Sequence, residues 1–89
     1  MKAVITVVGK DTVGVVARVG GLCGQLNINI EDITQSIMQD MFCMIMLVDL
    51  SGCTAQPDQM RDAFHTLGQE KGMQVNVTRQ EVFDAMHHI

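Results

Sequence analysis

The sequence of 89 residues contains no tryptophan and no tyrosine, and only three phenylalanines. These are too few aromatic side chains to form a stacking platform for nucleic-acid bases. The six lysines and arginines are scattered singly and the formal net charge is −4, so the basic patch that binds phosphate backbones is missing as well. We therefore expect no nucleic-acid partner.

Long apolar runs and paired cysteines are also absent. No apolar stretch reaches the roughly 18 residues that would cross a membrane, and the N-terminus lacks a charged-then-apolar leader with a cleavage site. The three cysteines, at positions 23, 43 and 53, lie among apolar or small residues rather than in a paired framework. This use of cysteine is typical of proteins in the reducing cytoplasm, where we expect the protein to be located. Because no apolar run is long enough to cross a membrane, we expect no membrane partner.

The hydrophobic residues make up 47% of the chain, and most of them are aliphatic residues and methionine. A chain this short buries only about 60% of its unfolded surface and does not support two cores. Residues 1–89 are therefore predicted to form a single domain. Its apolar content is high for a small domain, which suggests that part of it is buried against a partner.

Apolar periodicity divides the chain into elements in the order β-α-β-β-α-β, followed by a short C-terminal helix. Strands are predicted at residues 2–8, 27–37, 41–50 and 73–78. This order predicts the α+β, ferredoxin-like fold, a four-stranded antiparallel sheet with two helices on one face. The fold hosts many functions and does not by itself indicate any chemistry.

The second strand changes its apolar parity. Ile28 and Ile30 alternate with asparagines, whereas the next apolar residues are Ile33 and Ile37. A shift by one residue turns the following side chains to the other face of a sheet. The pattern therefore predicts a β-bulge around Glu31-Asp32.

The third strand is apolar at every position from 41 to 48. Phe42 and Met44 point to one face and Cys43 and Ile45 to the other, so both faces of this strand need burial. Since helices cover only one face of a two-layer domain, we expect a second copy of the chain on the other, that is, a homodimer.

The same strand and the three histidines contain residue types that can bind metal ions. Cys43 and Met46 are soft ligand types, but the CxxC spacing of a copper site is absent. His65 has no companion at ligand spacing, and the adjacent His87 and His88 point apart on a helix. We predict no metal site.

The segment from Val4 to Val16 reads as a strand, a short polar turn and a helix. Asp11 or Thr12 is predicted to cap the helix through a side-chain oxygen. The unpaired N–H groups and the dipole of the helix N-terminus favour a negative group there, and Gly14 has no side chain to block it. Because Asp11 would meet an ammonium group, the turn suits a free amino acid. The alternative is an ordinary capped turn in which Gly14 serves packing.

Two segments of the sequence together resemble the ACT domain, the amino-acid-binding regulatory module of metabolic enzymes. The first is Gly-Lys-Asp-x-x-Gly-Val-Val-Ala at residues 9–17, and the second is Leu-Asn-Ile-Asn-Ile-x-Asp-Ile at residues 26–33. The last residues, 81–89, are similar to those of the small stand-alone ACT proteins of the UPF0237 family. The likeness extends over the whole chain.

The resemblance implies that the turn of one subunit and the start of the second strand of its neighbour enclose an amino acid at a dimer interface. The carboxylate would lie on the N–H groups of Val13, Gly14 and Val15, and Asp11 and Asn29 would bind the ammonium or other polar groups. Val13 stands where many ACT domains have proline, and it keeps its N–H. The complete ligand-binding set expected on this basis is Gly9, Lys10, Asp11, Thr12, Val13, Gly14, Val15, Asn29 and Ile30.

The resemblance implies a regulatory protein that signals through a protein partner and needs no cofactor. Many ACT domains have lost ligand binding, so a ligand-free dimerisation module is the alternative. Acylphosphatases share the topology, but their reaction needs an arginine in the loop after the first strand, where this chain has only Lys10. Arg18 falls within the predicted helix, and no catalytic residues are expected.

Overall fold

The computed structural model describes residues 1–10 and 14–86. In chain order, its elements are β1 (Lys2–Lys10), α1 (Val15–Gln25), β2 (Asn29–Met38), β3 (Met41–Asp49), α2 (Pro57–Lys71), β4 (Gln74–Arg79) and α3 (Gln80–Met86). The strands form one antiparallel sheet in the order β2-β3-β1-β4. This architecture confirms the ferredoxin-like α+β prediction.

The core lies between the sheet and the pair α1 and α2. On β3 the core residues are Phe42, Met44, Met46 and Val48, none of them more than 4% exposed. Their period of two confirms the predicted inward face of this strand. Cys43 is half-buried on the opposite face, so the sheet separates it from Met46 and the two cannot bind one metal ion.

Helix α1 packs through residues spaced by four. Val15, Val19 and Cys23 are buried, and Leu22 is half-buried beside them. Val16 is 41% exposed at the start of the helix. The buried stripe is therefore narrower than the apolar residues of α1 alone would indicate.

The predicted bulge in β2 is present. Pairing with β3 shifts register between Ile30 and Asp32, after which Ile33 pairs with Met46 and Ile37 with Phe42. Both isoleucines thus lie on the face of the sheet that carries the helices. They remain 40% and 59% exposed, so the helix layer leaves this edge of the sheet largely uncovered.

Helix α2 has a defined beginning and end. Pro57 is its first residue, Gln56 and Gln59 form a capping box, and Gly72 ends it with φ of 68°. Proline at the first position and glycine in a left-handed conformation at the end are typical helix termini.

Helix α3 lies on the face of the sheet opposite α1 and α2, against β1 and β4. A cavity of about 470 Å³ between α3 and the sheet is lined by Cys43, Ile45, Phe83 and Met86 among others. The expectation that the whole outward face of β3 needs a second copy is therefore too broad, because α3 covers part of that face. Ile45 is still 38% exposed. Among residues 1–10 and 14–86, no helix combines the length and apolar character of a membrane span.

Candidate functional site

The candidate site lies between the end of β1 and the start of α1. Strand β1 ends at Lys10, and α1 starts at Val15 with Gly14 as its N-cap. The prediction that Asp11 or Thr12 occupies the cap position is wrong, because Gly14 takes that position with φ of 85°. Asp11, Thr12 and Val13 lie outside the described residues, so their expected contacts stay predictions.

Gly14 is required by the backbone and not by packing. Its φ of 85° is in the left-handed region that side chains other than glycine's rarely adopt. A Cβ built on Gly14 would meet no described atom within 4 Å. The alternative that this glycine allows close packing is therefore not supported by the part of the chain around it that the structure describes.

Gly9, in contrast, is a packing residue. A Cβ at Gly9 would lie 3.3 Å from the Cα of Met73 and would contact the Met73 sulfur as well. This glycine lets the end of β1 lie close to the residue that precedes β4. Its place in the expected binding set stays a prediction.

The first backbone N–H groups of α1 have no acceptor within the helix itself. The first hydrogen bond at this end runs from the Arg18 N–H to the Gly14 carbonyl, at 2.9 Å. The N–H groups of Val15, Val16 and Ala17 are therefore the unpaired donors of the first turn as far as the helix is concerned. The expected donor set of Val13, Gly14 and Val15 shares Val15 with these three, and its contacts with a ligand stay predictions.

The electrostatics of this helix end also favour an anion. The cap residue has no side chain, and no acidic residue is present in the first turn of α1. The positive end of the dipole is therefore not compensated by the side chains of its own helix. Val16 and Ala17 are exposed residues. Helix N-termini of this kind favour carboxylates and phosphates.

Asn29 and Ile30 lie at the opposite end of the sheet. Asn29 pairs with Asp49, which pairs with Lys2, whereas Lys10 pairs with Met41 at the other end. Eight residue steps along β1 correspond to about 26 Å. One chain therefore does not bring Asn29 to the turn, in accordance with the expectation that two subunits form the site.

Two carboxylates are found near Asn29. Lys2 Nζ lies 2.7 Å from Glu31 Oε1, and this contact raises the pKa of Lys2. Asp49 accepts hydrogen bonds from the hydroxyl and the backbone N–H of Ser51, at 2.6 and 2.9 Å, which lower its pKa. Glu31 is two residues from Asn29 in the sequence, whereas Asp49 lies beside Asn29 because of strand register, which the sequence pattern did not indicate.

The sequence and the fold were compared with known proteins. The family model described as "ACT domain" matches residues 2–78. A UPF0237 protein from Listeria innocua is 42% identical over 89 residues, which are the whole of both chains. An ACT domain protein from Streptococcus pneumoniae has a TM-score of 0.81 at 37% identity, covering 94% of each chain.

A more distant structure shares the fold. The regulatory subunit of aspartate kinase from Thermus thermophilus has a TM-score of 0.66 at 19% identity, and the match covers 85% of this chain and 49% of that one. At this identity the likeness concerns the fold alone.

Proposed function

Because this chain belongs to the ACT domain family, we propose that it is a stand-alone regulatory protein that binds an amino acid or a similar small carboxylate at a homodimer interface. The carboxylate lies on the N–H groups of Val15, Val16 and Ala17, and binding changes the contact with a protein partner. The observation that supports this most directly is the N-terminus of α1, where the first N–H groups have no acceptor within the helix and the first turn has no acidic residue. We place the protein in the cytoplasm.

The position of Asn29 supports a dimer joined through β2. Strand β2 is at the edge of the sheet and pairs only with β3. If two copies pair their β2 strands antiparallel, the partner's Asn29 faces the Met38 end of β2. Met38 lies across β3 from Lys10, at the end of the sheet that leads into the turn. This pairing brings the two halves of the expected site together twice per dimer.

The uncovered edge of β2 gives a second reason for this dimer. Ile33 and Ile37 are exposed on the helix-bearing face of this edge strand. A neighbouring subunit that extends the sheet would remove apolar surface from water at this edge. This replaces the outward face of β3 as the preferred dimer surface, since α3 already covers part of that face.

The same surface also supports the second candidate, a dimerisation module without a ligand. Exposed isoleucines at an open strand edge suffice for association and require no bound amino acid. The two functions differ in whether a small carboxylate stabilises the protein. A thermal scan against the common amino acids and small carboxylates distinguishes them.

In that scan a ligand at a hundred times its dissociation constant stabilises a one-site protein by about 2.7 kcal/mol. For a domain of this size the melting temperature rises on the order of 10 °C. The amino-acid sensor predicts such a shift for at least one compound. No shift with any of them favours the dimerisation module.

A further inference from the structure

Two of the three cysteines lie in the same region of the fold although they are far apart in the sequence. Cys23 is in α1, and Cys53 is in the connection between β3 and α2. Cys23 belongs to the buried core, and the half-buried side chain of Cys53 packs against that core. Cys43 is on the outward face of β3, so the sheet separates it from the other two.

Hydrogen bonds hold the connection that carries Cys53 against the end of α1. The Thr54 N–H donates to the Leu26 carbonyl, at 2.9 Å. The side-chain amide of Asn27 donates to the Gly52 carbonyl, at 3.0 Å. Both residues that flank Cys53 are therefore joined to the segment that directly follows α1.

Cys23 is one helical turn before that segment. It lies three residues before Leu26, and side chains with this spacing on a helix are neighbours, with about 5–6 Å between their Cβ atoms. Burial raises the pKa of the Cys23 thiol to about 11, and Cys53 contributes to this as a nearby titratable group. The two thiols are therefore neighbours on the same side of the sheet.

The backbone around Cys53 can accommodate a covalent bond between the two. A disulfide requires Cα atoms about 4.4–6.8 Å apart. Residues 50–56, between β3 and α2, belong to no helix or strand. Cys53 can therefore approach Cys23 without disrupting the hydrogen bonds of the sheet or of either helix.

The two thiols differ in their access to an oxidant. Cys53 lines a cavity of about 140 Å³ together with Met1, Leu50 and Met60, among others. This cavity has room for hydrogen peroxide, which is little larger than water. Cys23 is 1% exposed and its thiol stays protonated at neutral pH, so peroxide should react first at Cys53.

We propose that Cys23 and Cys53 form a reversible disulfide in the presence of hydrogen peroxide, so that the protein carries an oxidant-responsive site. In a reducing compartment such a bond is transient, which is typical of redox sensing. A dithiol reverses it by thiol–disulfide exchange. This site goes beyond the proposed binding of an amino acid and does not depend on it.

The reaction has two steps. The Cys53 sulfur attacks one oxygen of the peroxide, the O–O bond breaks, and a sulfenic acid and one water form. The Cys23 sulfur then attacks the sulfenic sulfur, so that the S–S bond forms and the S–O bond breaks. The oxygen leaves as a second water with the proton of Cys23. The two thiols thus lose two electrons, and the peroxide is reduced to water.

The test counts free thiols in the full chain, without any amino-acid ligand. Reduced protein is treated with a small excess of hydrogen peroxide, unfolded in N-ethylmaleimide and measured by intact mass. The three cysteines are free before treatment, so the reduced chain takes three adducts. We expect one adduct after oxidation and three again when dithiothreitol precedes the label. The oxidised protein should also melt at a higher temperature, because the cross-link restricts the unfolded chain.

Cys43→Ser is the matched control, because Cys43 is a half-buried cysteine on the other face of the sheet. This variant should lose both of its free thiols on oxidation, whereas Cys53→Ser should keep both. In Cys23→Ala the sulfenic acid at Cys53 has no thiol to attack it, and dimedone should trap it there.

Two results would overturn the inference. The first is an oxidised wild type in which Cys23 is still free, whether Cys53 is unchanged or oxidised further to a sulfinic acid. The second is a disulfide between two chains through Cys43 as the only bond formed, seen as a doubled mass in the wild type and as two free thiols in Cys43→Ser.

Discussion

At the scale of single residues, Gly14 shows how a backbone conformation defines the candidate site. The sequence places polar residues Asp11 and Thr12 before the helix, and both types are good N-caps. Gly14 has φ of 85°. This conformation cannot be predicted from the residue types of the turn, because it depends on the path of the chain between β1 and α1. The sequence therefore predicts a helix that starts after this turn, whereas the identity and conformation of its N-cap could not be predicted.

Substitution at Gly14 should be costly because of strain. Gly14→Ala is expected to lower the free energy of unfolding by about 1–2 kcal/mol, the cost of a left-handed conformation with a Cβ. Gly21→Ala is the matched control: Gly21 lies inside α1, and a Cβ there meets no described atom within 4 Å. It should raise stability by about 0.5–1 kcal/mol. Urea titration measures both changes, and equal effects of the two variants would refute this account of Gly14.

Cys23 should make stability fall at alkaline pH. Burial among the core residues raises the pKa of its thiol to about 11, and the neighbouring Cys53 adds to this. The folded state thus keeps the thiol protonated while the unfolded state ionises it above about pH 8.5. This contribution is complete below that pH and is lost as pH rises towards 11, by on the order of 2 kcal/mol.

Urea titrations at pH 8 and pH 10.5 check this effect against Cys23→Ala. The variant is less stable at both values, because it leaves a cavity in the core. Its stability should fall less between the two pH values than that of the wild type. An identical fall in both proteins would show that Cys23 is not the group responsible.

At the scale of elements, the sequence predicted the features that depend on the order of residues along one strand. It did not predict those that depend on how elements distant in the chain pack together. The bulge at Glu31 and the two faces of β3 were predicted correctly, because a period of two leaves a direct trace in the order of apolar residues. The exposure of Ile33 and Ile37 was not foreseen, because it depends on how far the helix layer extends over β2. The position of α3 likewise follows from tertiary packing and has no signature in residues 80–86.

The exposed edge of β2 gives a prediction at this scale. Ile37→Lys places a charge on the proposed dimer surface without disturbing the core, since Ile37 is 59% exposed. The variant should be a folded monomer at concentrations where the wild type has twice the chain mass by light scattering. Val82→Lys, at an exposed position on α3, is the control and should remain dimeric. A dimeric Ile37→Lys protein would exclude the β2 edge as the interface.

At the scale of the whole molecule, the two ends of the sheet have different charges and different roles in the proposed function. The end at Lys10 precedes α1, whose first N–H groups have no acceptor within the helix, and at the other end Asn29 pairs with Asp49. An amino acid has one group for each end, and an antiparallel dimer brings the ends together. The account therefore predicts two ligands per dimer and loss of ligand binding in a monomeric variant.

The central claim, that a carboxylate binds at the N-terminus of α1, is tested most directly by changing the charge of Val16. Val16→Glu adds a carboxylate in the first turn, which stabilises the free helix by about 0.3–1 kcal/mol and repels a carboxylate ligand. Val16→Gln changes the size of the side chain almost equally and adds no charge. The measurement is the melting-temperature shift that the best compound of the screen produces in each protein.

We predict that the wild type and Val16→Gln show similar shifts, whereas Val16→Glu loses most of its shift without being less stable in the absence of ligand. Loss of binding would then reflect charge at the site and not unfolding. A full shift in Val16→Glu would contradict the proposal that the ligand carboxylate lies on the N–H groups at the start of α1.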